Sequence, residues 1–404
     1  MFENIQEAIA YIESKRNKRT VDEFRTTLRN LGINMKQPHM IHIAGTNGKG
    51  STVNYLRAIL NANGYSVGTF TSPYMVRHND RIRIDNVPIS DEDLLMYINK
   101  FYHTIEVDDM SMFEIDTMIM LAYFEDHDLD YRIIECGIGG KHDKTNVIDP
   151  EISAITNIGM DHAEQIGPTL YDIINEKMGI IKPHQLFITS EISGTILARL
   201  QEECDARDAT MIVVPEYENT GFPFWFVYRD MAFTLKDQGY YQVTNARLAL
   251  TIAAKLITLD KEATIKAVEG AKWPGRFETL SYFGHKVVID GAHNVPAIEE
   301  LLKTLSYYKD ERIGIIFSSI KEDQAKDCIA LLTAAHYPVI LTHFEDERAI
   351  DMEALVTRGT TYMPAFEDAI KQAVLQYEAV VVTGSLHFIS QVRKMITEEK
   401  GALK

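Results

Sequence analysis

A glycine-rich stretch with one lysine and three hydroxyl side chains follows the apolar run Met40–Ala44. It consists of Gly45, Thr46, Asn47, Gly48, Lys49, Gly50, Ser51 and Thr52, and the residues after it are typical of a helix. A strand, a glycine loop and a helix in that order cradle a phosphate, because backbone N–H groups and the positive end of the helix point into the loop. Lys49 would contact the outer phosphates, and Ser51 or Thr52 would bind Mg²⁺. The stretch therefore predicts ATP binding.

The spacing of this loop departs from the standard P-loop pattern. Only two residues separate Gly45 from Gly48, and Gly50 stands between the lysine and the hydroxyl. The dinucleotide-binding fingerprint has a different glycine spacing. The alternative is an ordinary Gly/Asn turn capped by Ser51. Three glycines, a lysine and three hydroxyls directly after a buried strand favour the phosphate loop.

A carboxylate and an imidazole lie at the ends of two further predicted strands. Glu135 ends the strand that begins at Tyr131, and Asp161-His162 follow Ile152–Ile158. Ligands of open α/β sheets gather at the carboxyl ends of the strands, so we expect both near the phosphate loop. Mg²⁺ prefers oxygen, which favours Glu135 over direct contact with His162. The alternative for each is a hydrogen-bonded polar residue at a strand end.

The segment Thr71–Arg83 carries three arginines together with Pro73 and Tyr74. This composition suits an aromatic, acidic ligand, and the alternative is a solvated loop that leads into a strand.

The remaining periodicity indicates two successive α/β regions. In the first, two short helices precede Met40, apolar helices cover Glu114–Phe124 and Tyr171–Ile180, and Phe222–Leu235 predicts antiparallel hairpins before the helices Asn245–Leu259 and Lys261–Ala271. Lys177 lies on one of these helices, where a lysine is usually solvated. Trp273–Arg276 breaks the pattern and serves as the predicted linker.

Beyond this linker, strands and helices alternate again. Strands are predicted at Lys286–Asp290, Arg312–Ser318, Pro338–Thr342 and Ala379–Thr383, and helices near Pro296–Tyr308, Asp323–Ala335, Ala365–Gln376 and Phe388–Thr397. This alternation predicts an α/β fold with a parallel sheet in each region. We place the domains at residues 1–273 and 274–404. The segment Asp290–Asn294 again follows the end of a strand.

The composition is that of an ordinary globular protein, with 404 residues, 46% of them hydrophobic and 25% charged. A net charge of −17 argues against binding to nucleic acid or to an anionic membrane. The three cysteines lie far apart, the N-terminus lacks the pattern of a signal peptide, and no apolar run approaches the ~18 residues of a membrane span. We expect a reduced, cytoplasmic protein.

Several motifs, taken together, carry a resemblance to a known family. They are His42–Ser51, Thr71–Tyr74 with Arg77 and Asn79–Ile82, Phe113-Glu114, Glu135–Gly140 with Asp143 and Thr145–Val147, Thr156–Gly159 with Asp161-His162, Glu176-Lys177 with Gly179–Pro183, Asn245-Ala246, Trp273–Arg276, Asp290–Asn294 and Val382–Leu386. The sequence resembles the folylpolyglutamate synthase/dihydrofolate synthase family, a branch of the Mur ligase superfamily.

This resemblance implies a P-loop N-terminal domain with a mainly parallel sheet, a smaller Rossmann-like C-terminal domain, and ATP between them. Lys49 and Ser51 would hold the triphosphate and its Mg²⁺, and Ser72 and Glu135 would also serve the metal. His162 and a CO₂-carbamylated Lys177 would serve a second Mg²⁺, since a carbamate is a carboxylate-like oxygen ligand.

The resemblance also implies the remaining site residues. Nucleotide contacts would come from Asn245, Arg276, Asp290 and His293, and substrate contacts from Thr71, Ser72, Pro73, Tyr74, Arg77 and Arg81. The residues assigned to catalysis are Lys49, His162, Lys177, Asp290 and His293.

The activity implied is the ATP-dependent addition of L-glutamate to a folate carboxylate through an acyl phosphate, by a monomer without nucleic-acid or membrane partners. The alternatives are a dihydrofolate synthase that acts on dihydropteroate only, an enzyme with both activities, and a non-catalytic folate- or nucleotide-binding regulator. A peptidoglycan-type Mur ligase would need a whole domain before the loop, which begins at Gly45.

Two positions depart from the family pattern. Lys141-His142 stand where the family usually has an arginine and a variable residue, and Asn175 stands two residues before the lysine that is carbamylated in the family. Neither change removes a predicted metal ligand, but both bear on substrate preference.

Overall fold

The computed structural model describes residues 1–217, 221–308 and 311–402. The chain forms two compact units: one consists of Met1–Glu218, Tyr228–Met231 and Thr244–Ala271, and the other of Asn219–Val227, Ala232–Val243 and Lys272–Lys404. In the described ranges, no helix is both long enough and apolar enough to cross a membrane. Cys136, Cys204 and Cys328 are buried and are not bridged.

The first unit is organised around an eight-stranded sheet. Its strands are β1 (Met40–Ala44), β2 (Val67–Phe70), β3 (Ile82–Ile84), β4 (Val87–Pro88), β5 (Tyr131–Glu135), β6 (Ile152–Ile155), β7 (Leu186–Thr189) and β8 (Thr210–Val213). The order is β4-β3-β2-β5-β1-β6-β7-β8, and only the β3 and β4 pairings at one edge are antiparallel. All five residues of β1 and of β5 are buried, as expected for parallel strands covered on both faces.

Ten α-helices are described up to residue 270, and several of them carry local start signals. They are α1 (Ile5–Ser14), α2 (Val21–Asn30), α3 (Lys49–Ala62), α4 (Asp91–Val107), α5 (Met112–Glu125), α6 (Ala163–Ile166), α7 (Leu170–Met178), α8 (Gly194–Ala206), α9 (Gln242–Leu256) and α10 (Lys261–Gly270). Reciprocal capping boxes start α2 at Thr20 and Glu23, and α5 at Ser111 and Glu114. One buried cluster gathers side chains from α1, α2, α4 and α5, and another from α7 and α8.

A short hairpin forms a sheet of its own. Its strands are β9 (Phe224–Tyr228) and β10 (Met231–Leu235), which pair with each other. Because two residues connect them, the strands are antiparallel, as the sequence predicts.

The second unit contains a six-stranded sheet of β11 (Glu278–Tyr282), β12 (His285–Ile289), β13 (Ile313–Phe317), β14 (Val339–His343), β15 (Thr360–Ala365) and β16 (Ala379–Thr383). The order is β11-β12-β16-β13-β14-β15, with only β11 antiparallel. The helices are α11 (Val295–Leu305), α12 (Glu322–Ala334), α13 (Phe366–Gln376) and α14 (Leu386–Ala402). The predicted α/β class, with a mainly parallel sheet in each region, is confirmed.

Candidate active site

The glycine loop joins β1 to α3 and contains two glycines with positive φ. Gly45 has φ +148°, and a Cβ atom there would lie 1.9 Å from Oγ1 of Thr156. Gly48 has φ +85° at the N-cap of α3, and a Cβ there would lie 2.3 Å from Oδ1 of Asn245. Side chains are disfavoured at both places by conformation and by space, so the backbone is free to approach a phosphate closely.

The segment that follows β6 holds the loop in shape. The N–H of Thr46 donates to the carbonyl of Asn157 over 2.9 Å, and the N–H of Asn47 donates to the side-chain oxygen of Asn157 over 3.0 Å. Oγ1 of Thr156 donates to the carbonyl of Asn47 over 2.6 Å. Because β6 is paired directly with β1, these contacts tie the loop to the sheet next to its own strand.

Two amines converge on the carbonyl oxygen of Gly45. Nζ of Lys49 donates to this oxygen over 3.0 Å, and Nζ of Lys177, from the last turn of α7, donates to it over 2.8 Å. Lys177 is 4% exposed, and burial together with the charge of Lys49 lowers the pKa of Lys177 to about 7. Lys177 therefore lies beside the phosphate loop and not on a solvated helix face.

Three oxygen-bearing side chains stand where β1, β2 and β5 end. Glu135 is the last residue of β5, which lies between β1 and β2, and its buried carboxylate accepts the N–H of Ser72 over 3.2 Å. Ser51 is buried in the first turn of α3. The predicted convergence of strand ends at the carboxyl edge of the sheet is what places these residues near the loop.

Asp161 and His162 follow β6 at the same edge. His162 has φ +51° at the N-cap of α6, a conformation that is uncommon outside glycine and that recurs at functional sites. Oδ1 of Asp161 accepts the N–H of His162 over 2.8 Å, and its Oδ2 lies 3.6 Å from Nε2 of the imidazole. The buried carboxylate of Asp161 therefore holds the backbone of His162 and lies near its half-buried imidazole.

Glu176, one residue before Lys177, holds the turn after β5. Its Oε1 accepts the N–H of Gly140 over 3.3 Å and the N–H of His142 over 2.8 Å, and its Oε2 lies 2.8 Å from Nδ1 of His142. A Cβ at Gly140 would lie 2.8 Å from the carbonyl oxygen of Lys177. His142, at the variable position next to the departure at Lys141, thus adds a contact to a turn that packs on the end of α7.

The arginines of the Thr71–Arg83 segment all face carboxylates of the same unit. Nη1 of Arg77 lies 3.5 Å from Asp91, Nε of Arg81 lies 3.4 Å from Asp116, and Nη2 of Arg83 lies 2.8 Å from Asp80. Only Arg77 is largely exposed among the three, with 51% of its side chain accessible. The positive charge read from the sequence is therefore largely balanced within the fold.

In the second unit, Asp290 directly follows β12 and is buried. Its Oδ1 accepts the N–H of Ala292 over 2.9 Å, and its Oδ2 accepts the N–H of Phe277 over 2.8 Å and the hydroxyl of Tyr241. Burial raises the pKa of Asp290, while the hydrogen bond from Tyr241 and the charge of Arg276 oppose that rise. The carboxylate fixes the start of the Asp290–Asn294 segment.

His293 and Arg276 lie on either side of Gly291. Nδ1 of His293 lies 2.8 Å from the carbonyl oxygen of Gly291, and a Cβ at Gly291 would lie 2.1 Å from Nη1 of Arg276. Asn294 caps α11 by accepting the N–H of Ala297 over 3.0 Å. The structure thus brings together the three residues predicted from this half of the chain.

Sequence reasoning missed the residues that support the loop. It gave no role to Asn157, Glu176 or Glu191, although the last accepts the N–H of Ile158 over 2.7 Å and the N–H of Ser193 over 2.9 Å. Asn157 lies in the predicted strand segment Ile152–Ile158, Glu176 lies on a predicted helix, and Glu191 lies between β7 and α8, which the sequence did not predict. A polar residue at any of these positions is common. Only the contacts across the sheet distinguish these three from ordinary loop residues.

The oxygen donors fit magnesium held together with a nucleotide. Within residues 1–217, 221–308 and 311–402, no three His, Cys, Asp or Glu side chains gather as a metal-binding group. Mg²⁺ is commonly held by one or two carboxylates and by substrate phosphates, so Glu135 with the Ser51 and Ser72 hydroxyls suits it. A buried carboxylate such as Glu135 is also stabilised by a nearby cation.

Comparison with known proteins assigns the family. The Mur ligase middle domain matches residues 43–253, and the Mur ligase glutamate ligase domain matches residues 275–386. The dihydrofolate synthase/folylpolyglutamate synthase of Bacillus subtilis (strain 168) is 32% identical over 434 aligned positions, which cover 98% of this chain and 100% of that protein. The chain belongs to the folylpolyglutamate synthase/dihydrofolate synthase family of Mur ligases.

Further members of this family match along nearly their whole length. The folylpolyglutamate synthase of Lacticaseibacillus casei is 30% identical, with 97% of this chain and 99% of that protein covered. A solved "FPGS-AMPPCP-folate complex" is 28% identical and has a TM-score of 0.84, with 97% of this chain and 99% of that chain covered. The family recognised from the motifs is confirmed, and with it the class of enzyme, a ligase.

Proposed function

We propose that the protein uses ATP to join L-glutamate to the carboxylate of a folate, through an acyl phosphate on that carboxylate. The observation that carries this proposal is the convergence of Lys49 and Lys177 on the carbonyl of Gly45, inside a loop shaped for phosphate. The proposal is also supported by the names of the relatives and by the solved complex with an ATP analogue and folate.

The chemistry requires activation of a carboxylate. A carboxylate oxygen attacks the γ-phosphorus of ATP, the bond to the β–γ bridging oxygen breaks, and ADP leaves. The amine of glutamate then attacks the acyl carbon, phosphate leaves, and the amine loses a proton as the amide forms. Phosphoryl transfer depends mainly on positioning and charge neutralisation, which Lys49, the loop N–H groups and the start of α3 supply without a protein nucleophile.

Two Mg²⁺ sites belong to the proposal. Ser51, Ser72 and Glu135 would hold one ion, and His162 with carbamylated Lys177 would hold the other. Bound Mg²⁺ would neutralise the phosphate oxygens during transfer. Asp161 supports this assignment because its Oδ2 lies 3.6 Å from Nε2 of the His162 imidazole.

Carbamylation of Lys177 needs the neutral amine. The Nζ lone pair attacks the carbon of CO₂, and one proton leaves to solvent, so that an amine becomes an anionic carbamate. The lowered pKa of Lys177, about 7, leaves a large neutral fraction near neutral pH. Burial next to Lys49 also favours an anion at this position over a second cation.

The other site residues are proposed as binding groups. The nucleotide would be contacted by Asn245, Arg276, Asp290 and His293. Asn245 lies next to Gly48, and the charge of Arg276 acts on Asp290. The substrate would be bound by Thr71, Ser72, Pro73, Tyr74, Arg77 and Arg81. Since Arg81 is buried against Asp116, the exposed Arg77 is the better placed to pair with a substrate carboxylate.

Three further expectations from the sequence stay predictions. They are a monomer in solution, a location in the cytoplasm and a domain boundary between residues 273 and 274. Light scattering would test the first, cell fractionation the second, and limited proteolysis with mass mapping the third.

The substrate range is tested by a paired assay. Purified protein with ATP and L-glutamate is expected to incorporate glutamate into tetrahydrofolate, and incorporation into dihydropteroate would add the second activity. Incorporation is followed by mass spectrometry with radiolabelled glutamate as a second measure. Products from dihydropteroate alone would contradict elongation of folates and leave the dihydrofolate synthase alternative.

A non-catalytic regulator is distinguished by the variant Lys49→Ala. We expect folate-dependent ADP release to fall by about a thousandfold, because the lysine neutralises charge that develops on the phosphates. The matched control is Lys261→Ala, whose exposed side chain pairs with Asp230 on the surface and should change nothing. The ligase mechanism would be rejected if wild-type protein released no ADP, or if Lys49→Ala were as active as wild type.

A further inference from the structure

Four charged side chains form a buried network against the Thr71–Arg83 segment. Nδ1 of His78 lies 3.0 Å from Oε1 of Glu13 on α1, and its Nε2 lies 2.7 Å from Oδ1 of Asp116 on α5. Nε of Arg81 lies 3.4 Å from Oδ2 of the same Asp116. The side chains of His78, Asp116 and Arg81 are 3%, 2% and 7% exposed, and only that of Glu13 reaches solvent appreciably.

The geometry sets the protonation state of His78. Both ring nitrogens face carboxylate oxygens, which only accept hydrogen bonds when ionised, whereas a neutral imidazole has a single N–H. With an imidazolium at His78, two positive and two negative charges cancel in the network. Burial alone would lower the pKa of His78, but the charge of Asp116 and hydrogen bonds to Asp116 and Glu13 outweigh it and raise the pKa to about 9. The hydrogen bond from His78 in turn lowers the pKa of Glu13.

The network reaches the residues proposed for substrate and metal binding. The hydroxyl of Tyr74 donates to the same Oε1 of Glu13 over 2.9 Å. The N–H of Thr71 donates to the carbonyl of Arg81 over 2.9 Å, and the N–H of Ser72 donates to Glu135. The imidazole of His78 therefore connects this segment to both α1 and α5, through Glu13 and Asp116.

We propose that His78, as an imidazolium between Glu13 and Asp116, is a positioning residue that holds the Thr71–Arg83 segment in its binding conformation and so sets the affinity for the pterin-bearing substrate. This inference rests on the proposed function, because it takes the segment to be the substrate-binding one. The two contacts of the His78 imidazole are with α1 and α5 and not with the glycine loop, so we expect the affinity for the pterin substrate to change far more than that for ATP.

A pH dependence follows from the facing groups. Among the described residues these are Glu13 from α1, Asp116 from α5, and Tyr74 and Arg81 from the segment itself. The pKa of His78 is raised by the fold, so the stabilisation is complete below the ordinary value of about 6.5 and is lost as pH rises through about 9. Loss of the proton turns one imidazole lone pair toward a carboxylate and releases the segment.

The variant His78→Gln tests this positioning role of His78. The neutral amide can donate a hydrogen bond to one carboxylate, but its carbonyl oxygen then faces the other. We expect the KM for the pterin substrate to rise about tenfold, which corresponds to the loss of one buried charge-assisted hydrogen bond. The KM for ATP should stay within a factor of about two. The control is His184→Gln, which removes an imidazole 3.0 Å from Asp208 in an exposed pair.

A second variant separates charge from folding. In Glu13→Gln/His78→Gln an amide replaces the Glu13 carboxylate, so the positive charge of Arg81 again balances the negative charge of Asp116. We therefore expect the KM for the pterin substrate to return most of the way to the wild-type value. The wild-type KM for the pterin substrate should rise between about pH 7.5 and 9.5, whereas the KM of His78→Gln should not change over that range. Because ionisation of the substrates affects both proteins equally, the difference between the two pH profiles reports on His78 alone. If His78→Gln does not fold, this wild-type profile and the double variant decide.

Hydrogen exchange of residues 72–83 without any substrate gives a readout independent of activity. Faster exchange in His78→Gln than in wild type at pH 7, with no change in His184→Gln, supports the proposal that His78 holds the Thr71–Arg83 segment in place. Equal exchange, or a pterin KM within about twofold of wild type, overturns it. A wild-type protein that releases no ADP with either pterin overturns the proposed function instead, which the exchange data alone would not reveal.

Discussion

Replacing Lys177 with alanine is expected to abolish substrate-dependent ADP release, with a loss of about a thousandfold or more. The side chain is buried at the phosphate loop, where Nζ donates to the carbonyl of Gly45 over 2.8 Å. As a carbamate it would supply the anionic oxygen that a second Mg²⁺ needs. The measurement is steady-state ADP release with saturating ATP, glutamate and folate.

Chemical rescue identifies the role of the missing group. Short carboxylates such as formate or acetate fit the space left by the truncated side chain and should restore part of the Lys177→Ala activity. The control is Lys255→Ala, since Lys255 also lies in the last turn of a helix, α9, but is exposed. Full activity of Lys177→Ala without added carboxylate would mean that the carbamate assignment is wrong.

Replacing Gly45 with alanine is expected to remove ATP binding and to lower the free energy of unfolding by about 2–5 kcal/mol. The new Cβ would lie 1.9 Å from Oγ1 and 3.2 Å from the backbone N of Thr156, and the backbone has φ +148°. Relief of that clash must displace the loop or break the bond from Thr156 to Asn47, and either change moves N–H groups away from the phosphates. Calorimetry with a non-hydrolysable ATP analogue and urea unfolding measure the two effects.

The glycine just beyond the other end of α3 provides the matched control. Gly64 has φ +90°, but a Cβ there would meet nothing within 4 Å. Gly64→Ala should therefore show the conformational cost alone, about 1–2 kcal/mol, with nucleotide affinity unchanged. Equal loss of affinity in the two variants would indicate that the helix, and not the close contact at Gly45, decides binding.

The helices and strands that the periodicity predicts are those with continuous apolar runs. β1, β5 and β12 are of this kind, and each is followed by the glycine or carboxylate that the sequence singled out. The periodicity predicts neither α4 nor the β7, α8 and β8 succession, nor β11 and β15 in the second unit. Edge strands such as β8 and β15 are half-exposed and mix polar with apolar residues, so neither alternation nor a buried run distinguishes them.

The arginines of the Thr71–Arg83 segment illustrate a different gap. From the sequence they form a basic patch, but the acids that balance them come from Asp91 and Asp116 as well as from the adjacent Asp80. The partners of His78 lie 65 residues before it and 38 residues after it. Side chains so distant along the chain meet only when α1 and α5 pack against the segment, and no local pattern encodes that.

The sequence by itself determined that a glycine-rich loop follows the first buried strand, and it determined the family. Both depend on short-range features, because glycine spacing and the residues just after a strand are read along the chain. The tertiary structure alone decided that Lys177, on α7, shares the carbonyl of Gly45 with Lys49 across 132 positions. Parallel strands end at the same edge of a sheet whatever their separation in sequence. Packing of α7 at that edge buries the amine of Lys177 beside the glycine loop.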